Sequence, residues 1–285
     1  MIGRGHGKLI LCGEHAVVYG YPAIAMAVDR GTTVRLIARP GPTSASDATI
    51  DDPRLPRALL TVLPAEGYGV EIRTDLPIGR GMGSSAALAV ALVRANAART
   101  GEPLDADTLW DRAMDVERVF HGNPSGLDHA LSARGGLARY RRPGPGERPV
   151  LEVIPPPRWG IVVLDSGKAG DTAQMVAGVA ARRPRIDGNL ARIGALVDEA
   201  RAVMQDTAAL GALLDENHAH LQVIGVSTPD LDALVALARR SGAAGAKLAG
   251  AGGGGVVLAI SDEPEAVLSA CLKSGASAFR CAIAP

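Results

Sequence analysis

The chain has 285 residues, enough to bury a substantial core and to form one large or two modest domains. Its 30 Lys and Arg balance 30 Asp and Glu, so whole-molecule charge gives no case for a nucleic-acid or anionic-membrane partner. Cys12, Cys271 and Cys281 form no CxxC or disulfide framework, and no apolar run approaches the roughly 18–20 residues of a membrane helix.

The N-terminal apolar run is broken at Gly13 and Glu14, too soon for a signal peptide, so a soluble cytoplasmic protein with reduced thiols is expected. "GKLILCGEHAVVYGYPAIAMAVD" predicts two short strands joined by a tight turn, and the β-branched 32–38 a third. "RPGPTSASDATIDDPRLP" predicts a loop or hairpin tip, and 69–77 a strand running into Pro77. Residues 84–100 predict a helix apolar on nearly all faces, ended by Gly101. Asp105 or Asp107 caps the next helix, in which Leu109, Ala113, Val116 and Phe120 form a stripe. "GGLARY" predicts a strand. The Pro- and Gly-dense "RRPGPGERPVLEVIPPPRW" predicts a linker carrying an edge strand at "VLEVI".

Beyond it, 160–167 predicts a buried strand, followed by helices over 172–181, 187–206 and 208–224. The tail predicts a helix (229–241), strands (245–249 and 255–260), a helix (263–273) and a strand (277–283). That order points to a split β-α-β, ferredoxin-like half, and the whole chain to an α+β fold in two halves, 1–150 and 151–285.

In "PIGRGMGSSAAL", three alternating glycines stand directly before a helix. Backbone N–H groups at a helix N-terminus lack partners and carry partial positive charge, so the stretch suits phosphate; an ordinary capped turn needs fewer glycines. It lacks the GK[ST] of a Walker A loop, and no strand with an acidic end follows to complete a dinucleotide fingerprint. "KLAGAGGGGVVLAI" is followed by a strand, so it reads as a tight hairpin or a close backbone approach. In "ERVFHGNPSGLDHA", Glu117 and Asp128 flank a Pro-containing turn; they could share a metal-and-base pocket or be solvated helix-end carboxylates. Lys8, Glu14 and His15 flank the first strand, where a snorkelling lysine and a structural histidine are the simpler reading. His6, His121, His129, His218 and His220 show no metal-binding spacing.

Taken in order, "GKLILCGEHAVVYGYPAIA", "PIGRGMGSSAA" and "KLAGAGGGG" resemble the three motifs of the galactokinase, homoserine kinase, mevalonate kinase and phosphomevalonate kinase (GHMP) superfamily. "GEHAVVYG" and "HGNPSGLDHA" are most similar to its mevalonate kinase family, and the resemblance runs from residue 5 to about 260. It implies a two-domain GHMP kinase fold with a cleft site and Mg²⁺- and ATP-dependent phosphorylation of the 5-hydroxyl of mevalonate. The alternative is another small-alcohol kinase, acting on phosphomevalonate or homoserine. Partners are then mevalonate and ATP, without nucleic acid or membrane, and a homodimer is the candidate assembly.

By resemblance, Gly79, Arg80, Gly81, Met82, Gly83, Ser84, Ser85 and Ala86 wrap the ATP phosphates, and Ser85 and Glu117 hold Mg²⁺. Asp128 is the catalytic base with Lys8 beside it, while Glu14, His15 and Thr172 line the acceptor site. Two departures stand out. Gly170 and Asp171 occupy positions near which many relatives carry an arginine, and Ala249 replaces a usual Thr or Ser.

Overall fold

The computed structural model describes residues 1–48, 50–121, 126–142, 144, 147 and 150–285. Strand β1 (Ile2–Cys12) runs antiparallel to the 21-residue β2 (Pro22–Pro42), and a short 3₁₀ turn at Ala16–Tyr19 joins them. β1 starts earlier than the apolar pattern predicts because its glycines serve packing. A Cβ at Gly5 would lie 2.1 Å from the carbonyl of Ala87, and one at Gly3 2.1 Å from that of Ala91. Only bare backbone lets an alanine-rich helix lie this close to a strand.

The expected loop at 39–56 is partly regular. β2 extends through Pro42, β3 (Ser44–Ala48) follows, and α1 (Leu55–Leu60) begins two residues after Pro53. β4 (Glu66–Thr74) pairs antiparallel with β2 and parallel with β3. Helix α2 (Ser84–Thr100) covers the sheet; Ala86 through Val93 are all buried, as a helix between layers requires. α3 (Ala106–His121) is capped by Asp105, whose Oδ1 accepts from Thr108 N at 2.7 Å. α4 (Leu127–Arg134), not expected from the sequence, follows; the "HGNPSG" turn lies largely outside the described residues. β5 (Leu137–Arg141) and β6 (Val150–Ile154) complete a sheet of order β3-β4-β2-β5-β6, with β1 on β2. β6, inside the segment read as linker, therefore belongs to the first sheet.

The second sheet begins with β7 (Gly160–Asp165). Helices α5 (Thr172–Arg182), α6 (Asp187–Ala202), α7 (Thr207–Val223) and α8 (Pro229–Arg240) follow. Then come β8 (Gly245–Ala249), β9 (Val256–Ser261), α9 (Pro264–Lys273) and β10 (Ser277–Cys281). The antiparallel order β10-β7-β9-β8 is that of the expected ferredoxin-like half. One apolar core spans both sheets: Leu9, Ile24 and Met26 of the first share it with Val163, Leu258 and Ile260 of the second. The tail returns to β2, where Ala284 N donates to Ala27 O at 2.9 Å. All three cysteines are buried and free. Among the described residues no helix is long and apolar enough to cross a membrane.

Candidate active site

Gly79, Gly81 and Gly83 all adopt positive φ, at 69°, 82° and 71°, and Gly83 is the N-cap of α2. The loop they form presents backbone at a helix N-terminus, a geometry that favours an anion. It is wedged between two neighbours. A Cβ at Gly83 would lie 2.9 Å from Lys8 Cγ, and one at Gly81 2.9 Å from the Ala249 carbonyl. This second contact is made by backbone, so it needs no hydroxyl at position 249. Met82 is fully buried and anchors the loop, and its carbonyl accepts from Lys8 N at 2.9 Å. Arg80 turns toward Asp165 at the end of β7, with Nη1 and Oδ1 3.6 Å apart.

Gly81→Ala is expected to destabilise the loop by about 1–3 kcal/mol through its left-handed backbone. The clash with Ala249 adds to this, so nucleotide affinity should fall by about tenfold or more. Fluorescence titration with nucleotide checks this; parental affinity would show that the loop does not contact the nucleotide.

Lys8 is buried, yet its Nζ reaches Asp128 Oδ2 at 3.2 Å and donates to the Gly81 carbonyl at 3.2 Å. Asp128 lies in the first turn of α4, where the helix N-terminus favours its negative charge. Its side chain is 33% exposed, so a ligand can reach it.

Glu117, at the end of α3, is 2% exposed, and its Oε1 is buried with no hydrogen-bond partner. Burial, then the negative charge of Asp128, pushes its carboxyl up to about 8; the Ser85 hydroxyl and Lys8 oppose that shift. Ser85 Oγ also lies 3.0 Å from Nε2 of His121, a ring that burial holds below the usual histidine range. A buried carboxylate oxygen without a donor, beside a hydroxyl, fits a hard divalent cation such as Mg²⁺, which prefers oxygen ligands. Among the described residues no three His, Cys, Asp or Glu side chains converge. Further ligands would therefore come from phosphate oxygens and water.

His15 sits in the turn after β1 with φ 60°, rare outside glycine. Its Nε2 lies 2.9 Å from the Ala251 carbonyl, which can only accept, so the proton is on Nε2 and Nδ1 remains an acceptor. Burial keeps this ring below the usual histidine range. Glu14 is 1% exposed with both oxygens engaged, Oε1 by the ammonium of Lys247 and Oε2 by Asn217 Nδ2 at 3.2 Å. The structure thus puts Glu14 in a buried ion pair, where the resemblance implies an acceptor contact. Thr172 is exposed at the start of α5, whose N-cap Asp171 accepts from Gln174 N at 3.0 Å. Ser84 begins α2 without making a side-chain cap, and Ala86 is buried behind it.

The loop before α5 also touches the glycine loop, since Gly170 N donates to the Gly79 carbonyl at 3.2 Å. A Cβ at Gly170 would lie 2.3 Å from the Gly252 carbonyl, so this backbone has no room for an arginine there. The 250–255 hairpin is a close approach as well as a turn: Gly255 N donates to the Lys168 carbonyl at 2.7 Å, and Gly253 N to that of Val226 at 2.8 Å. His121, Lys247 and Asn217 also stand against these residues, where the sequence does not predict them. Only His121 carried a local signal, standing one helical turn after Glu117.

The models described as GHMP kinases N terminal domain and GHMP kinases C terminal match residues 54–136 and 195–277. The chain is 34% identical to mevalonate kinase of Thermococcus sibiricus and 35% to that of Pyrococcus abyssi, each alignment covering 93% of this chain and 90% of the relative. A crystal structure of L. major mevalonate kinase in complex with R-mevalonate superposes with a TM-score of 0.87 at 27% identity, covering 100% of this chain and 96% of that one.

Proposed function

The chain belongs to the mevalonate kinase family of the GHMP kinases, and from that premise we propose that it transfers the γ-phosphoryl group of ATP to the 5-hydroxyl of (R)-mevalonate. The observation that carries the chemistry is the Lys8–Asp128 pair, 3.2 Å apart, with the lysine hydrogen-bonded to the glycine loop. This arrangement sets a proton acceptor beside a preorganised anion site. Phosphoryl transfer needs these two elements, and little covalent help from the protein.

In this reading the 79–83 backbone and the N-terminus of α2 bind the phosphates, aided by Arg80. Lys8 orients the acceptor hydroxyl, and Asp128 takes its proton as the new P–O bond forms. His15 and Thr172 line the acceptor side. Mg²⁺, held by Glu117 and Ser85, would neutralise charge on the phosphates. A homodimer in the cytoplasm, and a division into ATP-loop and ferredoxin-like halves near residue 150, complete the proposal.

The test is ADP release with (R)-mevalonate, phosphomevalonate, homoserine and galactose. Mevalonate is expected to give the highest kcat/KM. An equal or better value with any of the other three would sink the mevalonate assignment.

A further inference from the structure

Among the described residues, the most deeply buried ion pair joins β8 to the turn after β1 and involves a residue with no role so far. Lys247, in β8, is fully buried. Its ammonium pairs with Glu14 Oε1 and donates to the carbonyls of Leu248, at 2.6 Å, and Ile10, at 3.4 Å. Asn217 of α7 holds the second Glu14 oxygen. Ile10 and Glu14 belong to β1 and its turn, Lys247 and Asn217 to the second half of the chain.

The pair lies between two parts of the candidate site. Glu14 precedes His15, whose ring donates to Ala251 in the glycine-rich 250–255 hairpin. That hairpin touches the 79–83 glycine loop, where a Cβ at Gly250 would lie 3.0 Å from Gly81 Cα. Stability alone does not account for a charged pair here, because apolar replacements of a buried ion pair are often neutral or stabilising. Leu and Met could pack at several offsets. An ammonium with three fixed acceptors holds one.

We propose that Lys247 is a positioning residue: its pair with Glu14 holds the His15 turn in one register with the 250–255 hairpin, and so fixes the acceptor side of the cleft relative to the phosphate side. This rests on the kinase reading above.

The test compares Lys247→Met, the double variant Glu14→Leu/Lys247→Met and Glu14→Asp for Tm, kcat, both KM values and the His15 Cε1–H NMR resonance. That resonance is assigned by its loss in His15→Asn. Lys247→Met strands a buried carboxylate and should lose Tm. The double variant should regain most of that Tm, while kcat stays about 100-fold low, the scale of a misplacement of about 1 Å. Its His15 resonance should move. Glu14→Asp keeps the charge but draws the turn in by one methylene, and should lower kcat with Tm near parental.

A double variant that regains kcat along with Tm, or an unmoved His15 resonance, overturns the proposal. If the double variant fails to fold, Glu14→Asp decides. Parental kcat there, or a change confined to the mevalonate KM, overturns the proposal, and the latter assigns Glu14 to direct substrate contact. Absence of turnover in the parent on every acceptor sinks the kinase reading instead; the His15 resonance still reports the coupling.

Discussion

Asp128→Asn is expected to lower kcat by about 10²–10⁴-fold, the range that a positioned general base contributes, while nucleotide affinity stays close to parental. Asparagine keeps the size of the side chain and can still accept from Lys8. It cannot take up the hydroxyl proton. The glycine loop should not move, because Lys8 is also held to it, through Lys8 N to Met82 O at 2.9 Å and Nζ to Gly81 O at 3.2 Å. Single-turnover kinetics together with nucleotide titration separate the two effects. Near-parental kcat removes Asp128 as the base. Lys8→Met should behave differently, weakening nucleotide binding as well, since it removes the ammonium that donates to the Gly81 carbonyl of the glycine loop at 3.2 Å.

The contrast between these two variants mirrors what the sequence could convey. Features that depend on local backbone chemistry were legible. The helix over 84–100 and the strand over 245–249 fall where expected, and the ferredoxin-like order followed from element succession. Three short elements were not. β3 is a polar edge strand, with nothing in its composition to mark it. α1 is six residues with Pro56 in its first turn, and α4 is eight residues buried on several sides. Neither is long enough to show a 3.6-residue stripe. β1 begins before its apolar run because the glycines that argue against a strand there have a purpose visible only when α2 lies on top of them. Within the site, the glycine loop is contiguous in sequence and so could be read from it. Lys247 and Glu14 stand 233 positions apart, and no local pattern links them.

Glu117→Gln should abolish most activity and yet stabilise the nucleotide-free protein at alkaline pH. The parental carboxyl is raised in the folded chain from 4.5 to about 8, chiefly by burial and then by Asp128. A carboxyl raised on folding gives its full stability below the unfolded value. That stability is lost as pH rises through the window from 4.5 to about 8, because the unfolded chain ionises first. A shift of this size is on the order of a few kcal/mol. Glutamine carries no charge to bury, so its contribution does not change across that window. Thermal melts without nucleotide at pH 5.5 and pH 8.5 should therefore differ less at the lower pH than at the higher, where the variant melts about 5 °C or more above the parent. Adding Mg²⁺ and nucleotide at pH 8.5 should reverse the order, because the parent gains a cation that its ionised carboxylate can bind and the variant does not. If Mg²⁺ with nucleotide stabilises both proteins equally, Glu117 is not a metal ligand. If the two melt together without nucleotide at pH 8.5, its burial is not the strain described here.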